Sequence, residues 1–131
     1  MKNSNPSFLA IAFCAIVLAL LSAALNACHA SEALSAADKI RESLVLTTYA
    51  IDCLQTLDIK NHPGMREINP VLGEHPSDKR IVGYFAVMSV LHVGIARALP
   101  EGWRGVWQYS TIAFEIAVIN RNKTLGIRIR F

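Results

Sequence analysis

Residues 81–120 read IVGYFAVMSVLHVGIARALPEGWRGVWQYSTIAFEIAVIN. They hold two long apolar runs joined by the turn signal Pro100-Glu101-Gly102, and that pairing decides the fold class. The first run, 81–99, has no full charge before Arg97; up to that point only Ser89 and His92 interrupt it. The second, 103–120, holds a single acid, Glu115, between 105 and 119. At 1.5 Å per residue each run makes a helix of about 27 Å, close to the roughly 30 Å hydrocarbon thickness of a bilayer.

Upstream, residues 43–59 read SLVLTTYAIDCLQTLDI, an apolar segment broken by polar positions. Asp52, Gln55 and Thr56 fall at i, i+3 and i+4 and share one helix face, with Thr48 a turn above. Such a stripe suits a surface helix of a soluble bundle, or a transmembrane helix that turns the stripe inward. Residues 60–80, KNHPGMREINPVLGEHPSDKR, contain three prolines and two glycines and read as a loop. Within it, Pro63-Gly64 and Asn69-Pro70 are turn signals. Ser77 and Asp78 then open the next helix. Residues 31–42 are polar and helix-prone, with Ser35 and Asp38 at capping-box spacing.

The N-terminus follows a targeting pattern. Lys2 precedes an apolar stretch over 8–25, FLAIAFCAIVLALLSAAL, and small residues follow at 26–31. A cleaved signal peptide and a retained anchor both fit. Leu25-Asn26-Ala27-Cys28 also resembles the lipobox of bacterial lipoprotein precursors, although Asn26 departs from its usual small residue, so lipidation of Cys28 is a third fate. Each fate puts residue 31 on the outer side.

With 131 residues the chain has room for one domain. It is 53% hydrophobic and 18% charged, against about 25% charge in a soluble domain. The expected fold is therefore all-α: a transmembrane helical bundle of three helices spanning 43–59, 81–99 and 103–120. A signal peptide or signal anchor in 1–30 precedes it, the membrane domain covers 31–123, and 124–131 form a basic tail. Loop charges set the orientation. Lys2, four bases in the 60–80 loop and four in 121–131 (Arg121, Lys123, Arg128, Arg130) make nine, against four (Lys39, Arg41, Arg97, Arg104) on the other side. The positive-inside rule then places the loop and the C-terminus in the cytoplasm and the protein in the bacterial inner membrane. Trp103, Trp107 and Tyr109 fall at the outer headgroup level.

The 13 Lys and Arg form no basic helix and have no aromatic platform among them, so nucleic acid is not an expected partner. The three cysteines offer neither a disulfide framework nor C-x-x-C spacing; Cys14 and Cys53 read as buried free thiols. No cofactor or metal is expected: there is no H-E-x-x-H spacing, and the seven glycines are too dispersed for a phosphate loop.

Asp52-x-x-Gln55-Thr56 followed by Glu67-x-Asn69-Pro70-x-Leu72-Gly73-x-x-Pro76-Ser77 resembles a pattern in a group of small bacterial and phage-borne polytopic membrane proteins. The resemblance covers roughly residues 48–120. It implies membrane placement and a prophage-type origin, and it supplies no catalytic residue.

The candidate site rests on depth. At 1.5 Å per residue, Asp52 lies about 13 Å from Ser43, His92 about 10 Å from Leu99, and Glu115 about 13 Å from Val106. Three helices thus bring one ionisable group each to a similar level, with Gln55 and Thr56 nearby, and such groups normally face one another in a membrane. One reading is structural: His92 bridges two carboxylates, and His92 and Glu115 are energetically coupled. Another is a proton relay or a ligand site, and a third is a metal site. A second candidate is the loop motif Glu67, Asn69, Pro70 and Gly73, with His62 and His75 nearby; its bland reading is a capping turn. Ser77 and Ser89 lack the strand–turn–helix setting of a nucleophile. The leading functional expectation is a non-enzymatic membrane component that contacts lipid and a protein partner or its own copies through its helices. The alternative is a membrane-embedded enzyme or proton-coupled protein using the Asp52, His92 and Glu115 level. A soluble periplasmic bundle is the third.

Overall fold

The computed structural model describes residues 33–129. The expected N-terminal segment, Cys14 and Cys28 lie outside them. The described residues form three helices, α1 (Ala36–Asp58), α2 (Asp78–Ala98) and α3 (Glu101–Thr124), with a 3-10 turn at Ile59–Asn61 and no strand. The all-helical expectation holds.

Ser35 starts α1 earlier than the apolar run alone implies. Its hydroxyl accepts from Asp38 N at 3.1 Å, and the Asp38 carboxylate accepts from Ser35 N at 3.0 Å, a complete capping box. The polar stretch 36–42 and the apolar stretch after it therefore form one 23-residue helix, about 34 Å long. Ser77 caps α2 by accepting from Arg80 N at 3.3 Å. That helix stops at Leu99, whose extended backbone is what a following proline imposes. After α3, Gly126 reverses the chain at φ +86 and Ile127 is buried. Arg128 N then donates to Asp58 Oδ2 at 3.2 Å, tying the start of the tail to the end of α1.

Side-chain pairs give the topology. Asp38 meets Arg104, Glu42 meets Gln108 and Gln55 meets Asn122, so α1 and α3 run side by side in the same direction. His92 lies opposite Glu42, and Arg104 reaches Ala96 O, so α2 runs antiparallel to both. The inward face of α1 includes 38, 42, 45, 49, 52 and 56, at alternating steps of four and three, flanked by buried Thr48 and Gln55. That spacing marks a left-handed, coiled-coil-like seam.

The apolar core is small: Val45, Tyr49, Leu72, Ile81 and Phe85. Leu72 comes from the loop and plugs the end of the bundle. The loop motif is built to deliver it. Asn69 Oδ1 accepts from Val71 N at 3.0 Å, while Asn69 O accepts from Leu72 N and Gly73 N at 3.1 and 3.0 Å. Glu67 Oε1 accepts from Asn69 N at 2.7 Å, and Pro70 fixes φ within the turn. Gly73 sits at φ +79, where L-residues are strained. A β-carbon there would meet no atom, so Gly73→Ala should cost about 1–2 kcal/mol from backbone strain alone. Gly73→Asn should cost less, because asparagine tolerates this conformation. Thermal unfolding of the purified protein checks the order, and equal stability of all three chains would show that the turn re-forms another way.

Polarity is inverted relative to a soluble bundle. Buried positions include Asp38, Glu42, Gln55, Thr56, His92, Arg104, Gln108 and Glu115, while Ile40, Leu44, Val87, Val90, Val106 and Phe114 lie on the outside. Across 43–57, 82–96 and 105–119 no exposed position carries a charge. Ser43 and Thr47, exposed within this belt, donate their hydroxyls to the carbonyls of Lys39 and Ser43 on their own helix. The apolar segments 43–59, 81–99 and 103–120 fall on the three helices to within a residue of their ends. By length and composition, however, only α2 among the described residues is apolar enough to cross a membrane. The inward polar residues of α1 and α3 put those helices below that standard.

Candidate functional site

The buried polar groups form a seam with a dense upper half. Arg104 is 2% exposed and holds three partners: Asp38 Oδ2 at 3.0 Å, Ala96 O at 2.8 Å and Leu99 O at 3.1 Å. Its guanidinium thereby fastens all three helices at one point. Asp38 also accepts from Arg41, whose Nε reaches Gln108 Oε1 at 2.8 Å and whose guanidinium lies 5.4 Å from the centre of the Tyr109 ring. Asp38 precedes segment 43–59 by more than a turn. Burial by itself pushes its carboxyl up, but the bonds from Ser35 and Arg104 outweigh this and hold it well below the ordinary carboxylate range.

One turn on, Gln108 Nε2 donates to Asp38 O at 3.1 Å and to Glu42 Oε2 at 2.7 Å. The other Glu42 oxygen accepts from His92 Nδ1 at 2.7 Å. His92 is 1% exposed, stacks on Trp107 with ring centres 4.9 Å apart, and meets Tyr49 edge-on. Its Nε2 lies 3.1 Å from Thr111 Oγ1, which is also 3.0 Å from Trp107 O. The Thr111 hydroxyl has one proton, so its direction is tied to the imidazole. When it donates to Trp107 O, Nε2 must be the donor to Thr111; when it donates to Nε2, the ring is the neutral Nδ1–H tautomer.

The lower half is sparser. Asn122 Nδ2 donates to Asp52 Oδ1 at 2.9 Å and to Gln55 Oε1 at 3.2 Å, and Gln55 Nε2 reaches Ile119 O at 3.4 Å. Thr48 returns its hydroxyl to Val45 O, and Thr56 is buried beside Gln55. Glu115 lies within electrostatic reach of Asp52. Its Oε2 and Trp107 Nε1 are buried with no hydrogen-bond partner among the described residues. At the loop end Asp58 accepts from Asn61 and meets His62 Nε2 at 2.9 Å.

The sequence-predicted residues are thus only partly brought together. Asp52 and Gln55 converge on Asn122, with Thr56 adjoining. His92 meets one carboxylate, Glu42, and neither Asp52 nor Glu115; the two-carboxylate bridge expected from depth alone does not form. The reason is helix length, because the early start of α1 supplies Glu42 closer to His92 than Asp52 is. Trp107, expected at the outer headgroup level, turns in to stack on His92, while Trp103 and Tyr109 stay exposed. Cys53 is free and half-buried. Glu67, Asn69, Pro70 and Gly73 shape a turn, and His75 is exposed. The hydroxyls of Ser77 and Ser89 are bonded to backbone. No three of the described His, Cys, Asp or Glu side chains are placed to hold a metal ion.

Sequence reasoning missed Asp38, Glu42, Arg104, Gln108, Thr111 and Asn122. The signal for them is the spacing of Arg104, Gln108 and Asn122 on α3, matched to Asp38, Glu42 and Gln55 on α1 at an offset of 66 or 67 residues. The chain matches no family model, no curated protein and no solved structure.

Proposed function

We propose that the chain is a small integral protein of the bacterial inner membrane, a three-span bundle acting through helix–helix contacts with a protein partner or with copies of itself. The observation that carries this reading is the inverted polarity: buried charges and amides inside, an uncharged apolar belt outside. In water that belt is an aggregation liability. In lipid it is the required surface, since a charge at the bilayer centre costs about 2.5–3.5 kcal/mol on insertion scales. The belt height of some 15 residues per helix, about 23 Å, is extended by the bases at each end, which reach for the headgroups. A phage or prophage origin draws on the sequence resemblance alone.

Two surface depressions flank the seam, and neither is lined by Asp52, His92 or Glu115. Lys60, Arg66, Lys79, Arg80, Arg121, Lys123 and Arg128 gather at the loop end, which supports a cytoplasmic loop and C-terminus. The test is extraction and topology together. The protein should stay in the membrane pellet at alkaline pH. Reporters fused after Lys123 should read cytoplasmic, and those near Glu101 periplasmic. Release by carbonate would sink the membrane reading, and two cytoplasmic reporters would show that α3 does not cross.

A further inference from the structure

The uncharged belt stops at residue 57 on α1 and at 119 on α3. Two residues further on, at Ile59 and Arg121, a depression of about 160 Å³ lies between the end of α1, the loop and the end of α3. Its walls are largely apolar, with Ile68 and Leu125 exposed by 68% and 48%, and its charged lining is Arg66, Glu67 and Arg121. Arg66 touches Glu74 through one nitrogen at 3.3 Å, with about two-thirds of both side chains exposed, a pair of little weight in water. Among the described residues none bonds the Arg121 guanidinium. The Glu67 carboxylate is engaged, accepting from Asn69 N at 2.7 Å. The carbonyls that end α3 are engaged too: those of Arg121, Asn122 and Lys123 accept from Leu125 N, Ile127 N and Gly126 N. Two arginines with donors to spare thus flank an apolar hollow.

We propose that this depression binds an anionic phospholipid of the cytoplasmic leaflet, with its phosphate on Arg66 and Arg121 and its first acyl carbons against Ile68 and Leu125. Three features carry this. The first is charge. The described residues of the loop end hold seven bases (Lys60, Arg66, Lys79, Arg80, Arg121, Lys123 and Arg128) against four acids (Asp58, Glu67, Glu74 and Asp78). A guanidinium also offers phosphate a planar pair of donors. The second is level. Phosphates lie just outside the hydrocarbon layer, and the depression begins where the uncharged belt ends. Basic pockets between helix ends on this side of a membrane are where anionic headgroups are held. The third is the company the arginines keep. Ile68 and Leu125 lie outside the belt yet remain exposed, and apolar surface left bare in water is unfavourable. A free phosphate would use the same two arginines and leave that surface uncovered, whereas a lipid covers it.

The proposal rests on the membrane reading, and the experiment separates the two. Full-length protein in a neutral detergent is titrated with phosphatidylglycerol, with phosphatidylcholine and with inorganic phosphate, and the bound species are counted by native mass spectrometry. Phosphatidylglycerol should bind in preference to the other two. Arg66→Gln and Arg121→Gln should each weaken it about fivefold and together about thirtyfold, from the usual worth of a base beside an anionic lipid surface. Lys79→Gln with Lys123→Gln removes the same charge from the same end but outside the depression, and should cost clearly less. All four side chains are exposed, so the variants should fold as the parent does. Equal losses from the two double variants would assign the attraction to the diffuse field of the loop end and overturn the site. So would equal binding of the two lipids, or phosphate binding as tight as that of phosphatidylglycerol. Any of these results with a carbonate-resistant protein leaves the membrane reading standing. Release of the protein by carbonate would remove that reading, and the proposal with it.

Discussion

Replacing Arg104 by alanine is expected to destabilise the folded bundle by about 3–5 kcal/mol, the range for removing one partner of a buried ion pair. The loss exceeds one salt bridge. Asp38 is fully buried, and although Ser35 and Arg41 still bond it, its Oδ2 loses the strongest positive neighbour at that end. The carbonyls of Ala96 and Leu99 lose their side-chain donor at the same time. Arg104→Lys should recover only part, because an ammonium cannot reproduce a planar fork that bonds three helices. Pairing Arg104→Met with Asp38→Leu should recover more than the lysine variant, since no uncompensated charge then stays buried. Denaturant unfolding in a single detergent measures the three variants against the parent. An alanine variant within about 0.5 kcal/mol of the parent, the range of ordinary surface substitutions, would show that Arg104 does not clasp the bundle.

The second large effect belongs to Glu42 and His92. Each single change to alanine should cost about 1–3 kcal/mol, because it leaves the other group buried with a lost bond. The double change should cost less than the sum by about 0.5–3 kcal/mol, the coupling range for groups in one network. The pair His92 and Glu115, by contrast, should behave nearly additively, since they share no hydrogen bond. That reverses the coupling expected from sequence depth. The control lies in the same cycle: strong coupling of His92 with Glu115, and none with Glu42, would mean that the seam is arranged differently.

These two predictions mark where the sequence is legible. Apolar runs, the proline at position 100 and the Ser35 and Ser77 caps locate three helices, because each is a local signal with a local cause. The polar face of α1 is visible as Asp52, Gln55 and Thr56. Its partners are not, since Asn122 lies 70 residues from Asp52 and nothing local links them. Arg104 and Arg41 read as loop charges when counted for orientation, yet Arg104 is buried and Arg41 bonds Gln108. A charge near a helix end looks the same in sequence whether it reaches for headgroups or turns inward. Only the register of α1 against α3 decides, and register is a property of two segments together. The loop motif is a milder case. Its turn residues are plain in sequence, but the purpose of the turn, seating Leu72 in the core, needs the third dimension.

The parallel seam has a consequence for synthesis. Arg104 and Gln108, which meet Asp38 and Glu42 from α3, lie 66 residues later in the chain, so α1 emerges long before α3 exists. At a translation rate of about 5–20 residues per second the delay is roughly 3–13 seconds. During that interval Asp38 has Arg41 beside it but lacks Arg104, and Glu42 lacks Gln108. Under the membrane reading proposed above, α1 is fully partnered only once α3 has been made, so its stable insertion is sensitive to anything that slows or truncates translation before residue 108.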